Sequence, residues 1–193
     1  MTIRNLRFPL LTIAVLLAAM ALAACGGETE PTAHGADEGS YIKAGPLVYQ
    51  VEVSRELNPA NPEDIEYLQG LPGGTTLPSG QEWFGVWLRV QNATDRAHPV
   101  ASDFRIVDTT GAVYRPIALP KRNILSYQQT AVPSDAGQDP PVTPNPETAA
   151  GSGPINGTLL LFKLDTSVYS NRPLDLEITP PAGGPASSVV LDL

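Results

Sequence analysis

EWFGVWLRVQN, residues 82–92, decides the fold of this chain. Phe84, Val86, Leu88 and Val90 fall on one face of an extended segment, and Trp83, Trp87, Arg89 and Gln91 fall on the other. Apolar residues recurring every second position predict a strand with one face in a core. The strand should end at Asn92, where NATDRAHP supplies turn residues. Two indoles on the otherwise polar face leave a question that the strand alone does not answer.

Working outward, the same period recurs. Leu47, Tyr49, Val51 and Val53 alternate with Val48, Gln50, Glu52 and Ser54, so the ordered domain is expected to open at Gly45-Pro46. In SDFRIVDTTGAVYRPI, Phe104 and Ile106 and then Val113 and Tyr114 flank Asp108-Thr109-Thr110-Gly111, a hairpin with Gly111 placed for a positive φ. NGTLLLFKLD, residues 156–165, is nearly all apolar and reads as a central strand; residues 173–178 and 188–193 supply two more. No stretch carries a long helical period. Parallel strands would need helical crossovers, so the expected fold is all-β: an antiparallel sandwich of about seven strands over residues 45–193, one domain with one core.

Two insertions interrupt this plan. In residues 57–80, Asn61 is placed to cap a short helix beginning at Pro62, with Glu63 and Asp64 in its first turn and Gly73-Gly74 to end it. Residues 118–154 are rich in proline and lack periodicity, and long loops of that kind inside a domain usually carry function or are disordered. Arg122, Asn123 and Tyr127, with Tyr114 beside them, are therefore a candidate binding surface.

Trp83 and Trp87 are candidates for the same reason. Spaced four residues apart on a strand, they lie roughly 13 Å apart on one side, which suits a groove for sugar rings or an extended peptide. The alternative is that the 57–80 insertion covers them, with Tyr67, Leu68 and Leu71 as the lid, and covered tryptophans are the commoner case.

The N-terminus supplies an address. Arg4 and Arg7 are the only charges before Cys25, and the apolar run Phe8–Ala24 narrows to small residues immediately ahead of it, the pattern of an export signal. The run is short for a membrane span, which needs about 20 residues. Cys25 is the sole cysteine, so disulfides are excluded and a zinc site is improbable. Leu22-Ala23-Ala24-Cys25 resembles the lipobox of bacterial lipoproteins. That resemblance implies removal of residues 1–24, acylation of Cys25 and a lipid-bilayer partner on the extracytoplasmic side. Residues 25–44 then read as lipidated N-terminus and disordered tether, since 26–40 are poor in large apolar groups.

Without residues 1–24 the chain carries 20 acidic against 10 basic residues. Such a balance argues against nucleic acid or anionic headgroups as partners. His98 is the only histidine in the sandwich region, and nothing in DRAHPV fixes a nucleophile against a base, so no catalytic residues are assigned. Glu63, Asp64 and Glu66, or Asp135 and Asp139, do not make a calcium loop, and neither a metal nor a cofactor is expected.

WLRVQNAT, DFRIVDTTGAVYRP and INGTLLLFKL, in this order and spacing, resemble the immunoglobulin-like sandwich domain of exported bacterial lipoproteins, a domain family of unknown function. The resemblance implies a fold and an envelope location and transfers no catalytic residue; the cysteine pair and buried tryptophan of antibody domains are missing. The function expected is a non-enzymatic, membrane-anchored module that binds a protein or an envelope polymer. The alternative is a receptor for a small ligand or cation that uses the 118–154 loop as a lid.

Overall fold

The computed structural model describes residues 30–123, 125–128, 131–132 and 157–193. The signal-like residues 1–24, Cys25 and most of the 118–154 insertion lie outside the described residues. The strands are β1 (His34–Gly35), β2 (Tyr41–Ala44), β3 (Leu47–Leu57), β4 (Gln81–Gln91), β5 (His98–Pro99), β6 (Asp103–Val107), β7 (Val113–Tyr114), β8 (Ala131–Val132), β9 (Thr158–Asp165), β10 (Leu174–Thr179) and β11 (Ser187–Leu191). A six-residue helix, α1 (Pro62–Tyr67), and a 3-10 turn, Thr166–Ser170, complete the regular structure.

One sheet runs β2-β3-β4-β9 and the facing sheet β1-β11-β10-β6-β7, with β5 and β8 pairing separately. Every contact between the long strands is antiparallel. The chain changes sheet after β1, after β4, after β7 and after β9, which places β3, β4 and β9 opposite β6, β10 and β11. This division into an outer-strand sheet and a C-F-G-like sheet is the immunoglobulin-like sandwich expected from the alternating segments.

Between the sheets, Tyr49, Val51, Phe84, Val86, Leu88, Val90 and Phe162 pack against Phe104, Ile106, Leu174, Leu176, Ile178 and Val189. The inward face read from EWFGVWLRVQN is therefore the core face. The alternation of β3 breaks where it was expected to continue. A bulge between Val51 and Val53 shifts the register, so Val53 stands opposite Trp87 and packs on the outer side of the sheet. The β6–β7 hairpin forms as read: Gly111 takes φ +84°, and Asp108 Oδ1 accepts the amides of Thr110 and Ala112, both at 2.9 Å.

The largest departure lies ahead of Gly45. The sequence predicts a disordered tether within residues 25–44, yet that span contains β1 and β2, and Gly45-Pro46 is the turn between β2 and β3 rather than the start of order. Ile42 and Ala44 anchor the end of the segment in the inter-sheet core, and backbone pairing holds the rest. Thr32 N–H donates to Tyr41 O (2.8 Å), Lys43 N–H to Thr32 O (2.7 Å) and Ser188 N–H to Ala33 O (2.9 Å). The Glu38 carboxylate then accepts the amides of Ser54 and Asp192, each at 3.0 Å, and the Ser54 hydroxyl. Through Thr32, Ala33 and Glu38 this segment thus bridges both sheets. Composition is blind to such a strap, because its bonds are made by backbone and by one acid at long sequence range.

Candidate functional site

The insertion after β3 turns the outer face of β3-β4-β9 into a second core. Asn61 caps α1 as read, its Oδ1 accepting Glu63 N–H at 3.0 Å, but the helix stops at Tyr67, ahead of Gly73-Gly74. Asp64 faces inward, accepts Asn58 N–H (2.9 Å) and pairs with Arg55 (2.6 Å). Burial pushes its carboxyl up, but the Arg55 guanidinium and the Asn58 amide outweigh this and hold it below the usual range. Arg55 in turn lies over the rings of Trp87 (5.6 Å) and Tyr67 (5.8 Å).

Under this lid the two tryptophans are closed off: Trp83 is 4% exposed and Trp87 0%. They pack with Leu57, Tyr67, Leu68, Leu125, Leu159 and Leu161, and Tyr67 meets Trp87 edge to face at 5.0 Å. The open aromatic groove considered for Trp83 and Trp87 is thereby corrected to core, by the lid residues the sequence offered as the alternative. Leu159 and Leu161 point outward from β9, and burying such a face required the insertion to fold back over it.

The candidate surface around Tyr127 is also redistributed. Asn123 is buried; its Nδ2 donates to Tyr67 O (3.2 Å) and its Oδ1 accepts Leu125 N–H (3.0 Å), so it fastens the described part of the second insertion to the first. Arg122 is exposed and lies against Gly70, where φ is +78° and an added Cβ would sit 2.9 Å from Arg122 Nε. Tyr127 points into the inter-sheet core. Its hydroxyl donates to Ala101 O (2.8 Å), while Tyr49 Oη accepts Ala101 N–H (2.7 Å). Burial pushes Tyr49 up to about 12 and Tyr127 well above its ordinary value, so both stay neutral phenols. Tyr114 sits half-buried on β7 beside that core. Asn123 and Tyr127 are thus structural residues. His98 pairs through its backbone with Val132, and none of the described hydrogen bonds joins its ring to Asp95 or Ser102.

Two concavities among the described residues bear on the site. A cleft of about 210 Å³ is lined by Phe104, Ile117, Leu119, Tyr127 and Leu159, with no charged side chain. A groove of about 440 Å³ lies where the 57–80 insertion leaves the end of β3 and rejoins β4. Glu56 and Glu82, Leu57, Leu77 and Trp83 line it. Glu82 is 8% exposed, and its Oε1 is shut off from solvent with no hydrogen-bond partner. Burial raises the Glu82 carboxyl, partly offset by Tyr169, and the nearby Glu56 charge raises it further. Burial, and after it the same two acids, push the Tyr169 hydroxyl up, and it donates to Glu56 Oε2 at 3.2 Å. Sequence reasoning missed Glu82, because its burial depends on residues far along the chain, Tyr169 among them.

No family model matches the sequence, and no curated protein matches it. Among solved structures, the chain is similar to an uncharacterized β-sandwich protein of Clostridium difficile 630, at 11% identity and a TM-score of 0.40, over 86% of this chain and 99% of that one. The protein is a β-sandwich in its own right, by strand order and core.

Proposed function

We propose that this protein is an exported lipoprotein, cut ahead of Cys25 and held to the membrane by acyl chains on that residue, whose sandwich is a non-enzymatic binding module of the cell envelope. The observation that carries this reading is Leu22-Ala23-Ala24-Cys25 at the end of an apolar run led by Arg4 and Arg7. On this reading the strap limits the reach of the domain. Pairing begins at Thr32, so the link from Cys25 spans at most about 25 Å even if fully extended. An acidic domain on so short a link reaches partners in or near the membrane, not far from it. Among the described residues no helix is long and apolar enough to cross a membrane.

Expression in a bacterium fed an alkyne-tagged palmitate tests the reading. Label on the wild-type chain that Cys25→Ser removes, together with accumulation of the uncut precursor, is the expected result. A chain that stays unlabelled, or that labels equally without Cys25, overturns it. A receptor for a small cation is the second reading, favoured by the acid-lined groove; the site then belongs to the 57–80 insertion rather than to a lid at 118–154.

A further inference from the structure

Native folds give buried carboxylate oxygens a donor or a cation, because an unpaired buried charge is costly. Glu82 Oε1 has no such donor: Tyr169 is shared between the Glu82 and Glu56 carboxylates, and neighbouring donors on β4 are used elsewhere. The Gln81 amide goes to Asp165 Oδ1 (3.4 Å), and Trp83 Nε1 to Thr75 O (2.7 Å). The cations on adjoining strand positions are engaged as well. Lys163 lies over the Trp83 ring at 5.6 Å, and Arg55 pairs with Asp64. What remains is one sealed, unbonded carboxylate oxygen and a second acid, Glu56, on the wall of a groove whose other walls include Leu57, Leu77 and the Trp83 indole.

We propose that this groove binds an organic cation, an ammonium or guanidinium carried on an apolar stem, with Glu82 and Glu56 holding the charge and Leu57, Leu77 and Trp83 holding the stem. The proposal deepens the binding-module reading and rests on it. A bare metal ion fits less well. Calcium takes six to eight oxygens, and the described residues contain no group of three or more metal-ligating side chains. A volume of about 440 Å³ is that of a small-molecule pocket, and apolar walls with a few convergent polar groups are its usual lining. A free amine and the arginine or lysine side chain of a partner protein share this chemistry.

Trp83 lines the groove, so its emission reports the occupant. Full-length protein in detergent micelles is titrated with agmatine, with a blocked Leu-Arg-Leu peptide and with calcium chloride. Saturable change with agmatine, with the peptide, or with both supports the proposal, and the pattern tells a free cation from a partner side chain. Glu82→Gln weakens that binding by about tenfold or more, as does loss of one partner of a desolvated charge pair. Glu56→Gln, at an exposed position, weakens it several-fold. No saturable change up to about 10 mM, beyond ordinary weak affinities, overturns the proposal. So does equal binding by both variants, or a response to calcium alone. Acyl labelling at Cys25 is read separately, so a groove that fails leaves the anchor reading standing, and an unlabelled chain that still binds agmatine does the reverse.

Discussion

The two faces of the sheet β2-β3-β4-β9 are buried by different means. The inner face meets a second sheet, strand against strand, with Phe84 and Phe162 interlocked with Ile106 and Leu176. The outer face meets one short helix and its flanking loops, and Trp83, Trp87, Leu159 and Leu161 are closed over by Tyr67, Leu68 and Leu125. An inner core of this kind is held by many backbone ladders, so no single polar contact decides it. The outer core depends on a few polar fastenings, of which Asp64–Arg55 and the Asn123 bonds are the best defined. A loop that builds a core also builds a seam, and the groove bearing Glu82 is that seam.

Truncation of the largest side chain in the outer core measures how far the two cores are coupled. Trp87→Ala is expected to cost about 3–5 kcal/mol, with urea unfolding still a single transition if the lid and sandwich melt together. A separate early transition, seen by Trp83 emission but not by far-UV circular dichroism, would show that the outer core opens alone. Asp64→Ala should cost about 2–3 kcal/mol, below the full penalty of a buried pair because Arg55 is partly solvated. The carboxyl of Asp64 is held below its usual value of 3.8, so the stability it contributes is complete above that pH and is lost as pH falls through the lower folded value. Acid titration of wild type against Asp64→Ala should therefore converge at low pH.

Smaller effects sharpen the contrast. Glu38→Ala leaves the Ser54 and Asp192 amides short of an acceptor and should cost about 1–2 kcal/mol, with faster hydrogen exchange at Ser188 and Lys43 as the local sign. Asn61→Ala removes one cap of α1 and should cost about 1 kcal/mol, confined to the outer core. Glu82→Gln works in the opposite direction. A carboxyl raised by burial destabilises the fold once ionised, so the variant should melt higher than wild type at pH 7. The gain should vanish as pH falls through the Glu82 titration; a variant that melts earlier than wild type at neutral pH would show that Glu82 is paired.

The sheet elements were legible because burial leaves a period of two. Phe84, Val86, Leu88 and Val90 announced both strand and inward face, and Asp108 with Gly111 announced the hairpin. Trp83 and Trp87 were legible only as a choice between two outcomes, since a strand's own pattern does not say what covers its second face. The strap at 31–40 and the acid at Glu82 were not legible. Both depend on contacts between residues far apart in sequence, one made by backbone groups that leave no compositional trace, the other involving Tyr169. The interior roles of Asn123 and Tyr127 were hidden for the same reason: in a proline-rich stretch without periodicity, nothing distinguishes a side chain that packs from one that is offered to a partner.

The strap also sets how the domain carries a load. A pull on the chain ahead of Pro31 enters the sandwich through Thr32 and Ala33, where backbone bonds reach β2 in one sheet and β11 in the other within two residues. β1 runs parallel to β11, so tension along it loads those bonds in shear and divides it between both sheets before any core side chain is strained.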